Sequence, residues 1–195
     1  MKLNDLLLSS KEFSLIDFLR ENCSQFIYQS GGFSILKNLP IEYDNFRKIK
    51  VRKRKGDSVS EHFNDAFIEK LYLLRQRAVF ANGWKSLIES SENEMPYYIF
   101  PINGYSYLYQ SIVQNSNKEY QKSFNTILET MGNKQGSKVI TDMLQFSYID
   151  NENLAEGIES GAEIIIYNIP YFYALKSSSI DDYKNFWNKL STDSM

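Results

Sequence analysis

The chain has 195 residues, and its 13 Phe, 14 Tyr and 2 Trp against 4 Pro and 9 Gly argue against long disorder and fit one domain with a sizeable core. Its formal net charge of −2 leaves the sign of any partner open, and the single cysteine, Cys23, excludes an internal disulfide and fits a reducing compartment. With only one histidine beside that cysteine a Cys/His metal site has no support, and no apolar run reaches the length of a membrane span or a secretory signal, so a soluble intracellular protein is expected.

Residues 11–29 carry Leu15, Phe18, Leu19, Cys23, Phe26 and Ile27 at helical spacing, which predicts an amphipathic helix with Cys23 as a small buried hydrophobe. A single domain spanning 1–195 is expected, with the N-terminal helical segment, 1–30, packed on it. Gly31 and Gly32 end the helix. A short strand follows over 33–38, closed by Leu39 and Pro40, and a second over 46–52. The pattern Ser58-x-x-Glu61 is a capping box for a helix burying Phe63, Ala66, Phe67, Leu71 and Leu74. His62 sits in its first turn with no evident catalytic partner.

A strand over 77–81 is punctuated by Asn82 and Gly83, and 84–88 reads as a short helical turn. Strands over 97–102 and 105–109 flank Asn103-Gly104, a strong hairpin signal, with Tyr105, Tyr107 and Tyr109 on one face. Ser116-x-x-Glu119 opens a helix that buries Tyr120, Phe124, Ile127, Leu128 and Met131 and stops at Gly132. A helix over 137–146 buries Val139, Ile140, Met143 and Leu144, and another spans 153–160. Ile164, Ile165, Ile166 and Tyr167 then form a run without solvent-facing alternation, which marks a strand buried on both faces. After Pro170 comes a last strand over 171–175, and Ser179-x-x-Asp182 opens a terminal helix burying Tyr183, Phe186, Trp187 and Leu190. Strands and helices do not alternate singly, so a doubly wound parallel sheet is disfavoured. An α+β domain is predicted, with a largely antiparallel sheet, or two small packed sheets, and flanking helices.

Walker, GxGxxG, GxSxG and HExxH patterns are absent. Two charge features remain. Residues 150–163 carry five carboxylates and no base, ending in Glu163 at the mouth of the isoleucine strand, where a rigid, partly desolvated carboxylate suits electrostatic work. Residues 47–55 hold seven cations: Arg47, Lys48, Lys50, Arg52, Lys53, Arg54 and Lys55. The run is read either as a phosphate- or nucleic-acid-binding patch or as a solvated charged face.

Three strand segments, with Lys37-Asn38 in the first, Arg77-Ala78-Val79-Phe80-Ala81 in the second and Glu163 entering the third, resemble mono-ADP-ribosyltransferases, in particular ADP-ribosyltransferase-like proteins of tailed bacteriophages. The resemblance runs over 33–175. It implies NAD as cofactor, Glu163 as catalytic carboxylate, Lys37 and Asn38 at the dinucleotide phosphates, and Arg77, Ala78 and Tyr107 lining the cofactor site. Lys37 stands where that family carries Arg, and Ala78 where it often carries Ser or Thr. The implied partner is a host protein or a nucleic acid, with no metal and no membrane, in the host cytoplasm or the virion. A catalytically silent virion component or host-factor inhibitor of the same architecture is the alternative.

Overall fold

The computed structural model of the chain describes residues 12–52, 61–62, 66, 77–83, 92–109, 116–150 and 153–192. Its elements, in order, are α1 (Glu12–Gln29), β1 (Ile35–Pro40), β2 (Phe46–Lys50), β3 (Val79–Gly83), β4 (Glu94–Pro101), β5 (Ser106–Tyr109), α2 (Ser116–Met131), α3 (Asn133–Ser147), β6 (Ile149–Asp150), α4 (Leu154–Glu159), β7 (Glu163–Tyr167), β8 (Tyr171–Lys176) and α5 (Tyr183–Ser191). The strands form one sheet in the order β2-β8-β4-β1-β3-β7-β5-β6, every neighbour antiparallel. The protein is thus α+β with an antiparallel sheet and flanking helices.

The sheet has two arms joined at a narrow seam. Strand β1 pairs with β4 along its whole length, from Ile35–Ile99 to Pro40–Glu94, but with β3 only at Ile35–Gly83 and Leu36–Asn82. Beyond that seam Lys37–Pro40 belong to one arm alone, and Val79–Ala81 pair with β7 in the other. Because cross-strand partners share a face and successive residues alternate, each arm has two distinct surfaces. Inner rows from both arms, among them Ile35, Ile99, Ala81, Ile164 and Tyr107, fall in one continuous core.

Outer rows carry the helices. Over the first arm, Phe18 of α1 meets Tyr173 edge-on with ring centroids 5.0 Å apart, and Trp187 of α5 stacks on Phe100 at 5.8 Å. Arg20 ties the two helices together, its Nε donating to the Leu190 carbonyl at 3.2 Å and its Nη2 to that of Lys189, which satisfies carbonyls at the end of α5. Over the second arm, Phe124 of α2 and Ile140 and Leu144 of α3 cover Leu108, Ile165 and Tyr167. Burying each such side chain contributes roughly 1.5–3 kcal/mol.

Several sequence expectations change. Asn103 and Gly104 make a tight turn, with Gly104 at φ 88°, but β4 and β5 do not pair and sit in different arms. The turn docks on α1 instead: the Asn103 Oδ1 accepts from the Gln25 N–H at 3.0 Å, its Nδ2 donates to the Glu21 carbonyl, and the Gly104 N–H donates to Gln25 Oε1 at 2.8 Å. The terminal helix is capped by Asp182, whose side chain accepts from the Asn185 N–H at 3.0 Å, while Ser179 closes a preceding 3-10 turn. Helix α3 begins at Asn133, immediately after Gly132, and Val139 on it is exposed rather than buried, as is Met131 at the end of α2. The helix expected after Ser58 and the turn over 84–88 lie outside the described residues, apart from Glu61, His62 and Ala66.

Candidate functional site

The three strands singled out by the sequence are consecutive in the sheet: β1, β3, β7. Their registers form a row running Leu36–Asn82–Glu163. Glu163 and Asn82 are direct cross-strand neighbours, with Cβ atoms about 5 Å apart by ladder geometry. Leu36 lies roughly 10 Å from Glu163, two strand spacings away. Asn38 and Phe80 share that outer face by alternation, one step along their strands.

Burial separates the two faces of the seam. Toward the inside, Ile35, Leu39, Val79 and Ala81 are buried; toward the outside, Leu36, Asn38, Phe80 and Asn82 are only half-buried. Helices α1 and α5 cover the arm on one side, α2 and α3 the arm on the other. Among the described residues none of these helices closes over β1 and β3. The outer row there is polar and aromatic: Asn38, Asn82 and Phe80, with Glu163 next to Asn82. The Asn38 Oδ1 is closed off from solvent. Tyr98, paired with Leu36, belongs to the same face, its ring 5.5 Å from that of Tyr183.

A tight turn sets Glu163 at this spot. Helix α4 ends at Glu159, and Gly161 takes φ 78°, the left-handed region where glycine alone is unstrained. The Gly161 N–H donates to the Ile158 carbonyl at 3.1 Å, the Ala162 N–H to that of Gly157 at 3.2 Å, and the Gly83 N–H to that of Ala162 at 3.0 Å. The last of these bonds registers the entry of β7 against the end of β3. Gly83 is required by close approach, since a Cβ there would lie 2.1 Å from the Ile158 carbonyl oxygen. Glu163 is held 8 % exposed at the strand mouth, which is not the solvated strand start that charged residues usually adopt.

The other residues that the resemblance places around a cofactor disperse. Lys37 projects to the inner face, the opposite side from Glu163, and its Nζ donates to the Phe80 carbonyl at 2.8 Å across the opening between the arms. Tyr107 is buried in the inner row, its ring beside those of Tyr105 and Tyr109. Arg77 is exposed, and Ala78 is buried. Asn38 shares the outer face with Glu163. Asn82, read from sequence only as strand punctuation, is the polar group opposite Glu163; its β1 and β7 pairings carry no local signal.

Of the basic run, Arg47, Lys48 and Lys50 lie on the edge strand β2 and Arg52 just past it, all exposed; Lys53, Arg54 and Lys55 lie outside the described residues. A cavity of about 480 Å³ sits beside this strand, with Lys37, Leu39, Ile49, Val79 and Phe172 in its lining. His62 is buried against Phe124, ring centroids 5.4 Å apart, as a packing contact. Cys23 is buried too, and the loss of water pushes its thiol pKa up to about 12, the opposite of what a nucleophile needs. Among the described residues no group of three or more His, Cys, Asp or Glu is placed to hold a metal, and no helix is long and apolar enough to cross a membrane. Comparison with models of known protein families, with curated proteins and with solved structures gives no match.

Proposed function

We propose that the chain is an ADP-ribosyltransferase-like protein that takes NAD into a furrow along the outer row of β1 and β3, with Glu163 as its catalytic carboxylate. The observation that carries this reading is the adjacency of β1, β3 and β7 with a buried carboxylate at the mouth of the third. When bound, NAD supplies the ADP-ribosyl group: the bond from ribose C1′ to the nicotinamide nitrogen breaks, nicotinamide leaves with the electron pair, and an acceptor bonds to C1′ and gives up a proton. The carboxylate of Glu163 faces the positive charge that develops on the ribose, and low exposure strengthens that attraction. Asn82 and Asn38 supply amides for ribose or phosphate oxygens, and Phe80 and Tyr98 supply ring faces for a planar base. Lys37, Arg77, Ala78 and Tyr107 have no part in this furrow. In this reading the setting is a phage-infected host cytoplasm or the virion, and the acceptor is a host protein or a nucleic acid.

The test is nicotinamide release from NAD by wild type and by Glu163→Gln, which keeps the shape and removes the charge. We expect slow release by wild type and a loss on the order of a hundredfold in the variant, with nearly equal melting temperatures. Equal release by both proteins sinks the catalytic role. The position of Lys37, turned to the inner face and bonded to the Phe80 carbonyl, favours a second reading, a catalytically silent binding module of the same architecture. That reading predicts no NAD turnover in either protein.

A further inference from the structure

The basic edge of the sheet is separate from the furrow. Strand β2 has β8 on one side and no described strand on the other, and its cavity takes Lys37, Leu39 and Val79 from the face opposite Asn38 and Phe80. Among the described residues Arg47, Lys48, Lys50 and Arg52 engage no carboxylate. Two are instead held over rings: the Arg47 guanidinium carbon lies 4.2 Å from the Tyr43 ring centroid, and the Lys48 Nζ 3.5 Å from that of Tyr171. Lys48 and Lys50 share one face of the edge strand and repel one another, so the fold alone gives no reason to gather them here.

We propose that this edge binds single-stranded nucleic acid, its sugar-phosphate backbone running along β2 and one unstacked base entering the cavity beside Tyr43. The shape of the charge decides against a small anion. From Arg47 to Arg52 the cations extend over roughly 17 Å of the sheet edge, Lys48 and Lys50 on one face and Arg47 on the other. A line of cations of that length matches successive phosphates of a polymer. The cavity then decides against a duplex. Its apolar walls, Leu39, Ile49, Val79 and Phe172, accept the face or edge of a planar base, which a paired and stacked base cannot offer. Cations interleaved with tyrosine rings combine the two devices by which single strands are held without sequence preference: phosphate attraction and base stacking.

The test is fluorescence anisotropy of a short labelled oligothymidylate, titrated with the full chain at several salt concentrations and without NAD, so that its outcome is independent of Glu163 chemistry. If four phosphates are engaged, the logarithm of the association constant should fall against that of salt with a slope of roughly −3. Lys48→Ala combined with Lys50→Ala, two exposed changes, should make that slope shallower by about 1.4. Tyr43→Ala should weaken binding about tenfold while leaving the slope unchanged, which separates the ring from the charges. A matching duplex and free thymidine monophosphate should both bind far more weakly. No binding at low salt overturns the proposal, as does a slope that survives the double substitution or equal affinity for duplex or mononucleotide.

Discussion

Glu163 and Asn82 face each other because a two-residue turn and one backbone bond, Gly83 N–H to the Ala162 carbonyl, register β7 against β3. A one-residue slip in that register turns Glu163 to the inner face and an isoleucine into the furrow. The position of one carboxylate therefore depends on a glycine pair. Cys23 illustrates the opposite case, a reactive residue type made inert by its place. It lies at the kink of α1, where φ is −130°, with its Sγ directed at the Phe100 carbonyl at 3.8 Å. A thiol reagent at pH 8 should leave the native protein unlabelled on the timescale on which unfolded chain reacts completely, one thiol per chain. Rapid labelling of the native state would show that the helix opens at Cys23.

At the scale of elements, the helices act as clamps on the two arms, and α4 has the smallest clearance. Its Ile158 carbonyl occupies the space where a Cβ at position 83 would stand, and the ring of Tyr109 fills that space at Gly157, at 2.7 Å. Backbone is the obstacle at Gly83, so the helix must move for any larger residue to fit. Gly83→Ala should cost about 1–3 kcal/mol, read as a lowered urea midpoint at unchanged slope, and, on the proposed function, should reduce nicotinamide release by shifting Asn82 and Glu163 together. An unchanged midpoint would mean that α4 does not set the seam. The docked turn at Asn103 works similarly: its hydrogen bonds to Glu21, Asn22 and Gln25 bind the β4–β5 connection to α1 and let the chain cross from one arm to the other.

The whole molecule buries several protons that an unfolded chain releases in alkali. Burial pushes the Cys23 thiol from near 9 to about 12 and raises the hydroxyls of Tyr105, Tyr98 and Tyr183, with Tyr107 adding to the shift at Tyr105. The folded values lie above the unfolded ones. The stability these groups contribute is fully present below about pH 9 and is lost as pH rises toward the folded values. Over that window the unfolded state holds fewer protons, and Cys23 alone lowers stability by about 1.4 kcal/mol per pH unit. Urea midpoints should therefore hold steady to about pH 9 and fall progressively above it, less steeply in Cys23→Ala measured against its own neutral-pH value. Midpoints unchanged at pH 11 would contradict the buried placement of these groups.

Local patterning determined much of this in advance. Apolar spacing of 3.6 gave α1, α2 and α5, the unbroken Ile164–Ile166 run gave a strand buried on both faces, and the irregular alternation of elements gave an antiparallel α+β sheet. These features are legible because they depend on neighbours within a turn or two of chain. Which strands lie side by side depends on pairings between segments far apart in sequence, and only the tertiary structure decided those. Asn103-Gly104 reads as a hairpin by every local rule, yet its strands lie in different arms and the turn makes its hydrogen bonds to α1. For the same reason Lys37 and Glu163, on strands correctly placed near each other, point to opposite faces: the period of two is local, but the register that converts it into a shared or divided site is not. Asn82 became the neighbour of Glu163 and β2 the outermost strand through pairings that no single segment encodes.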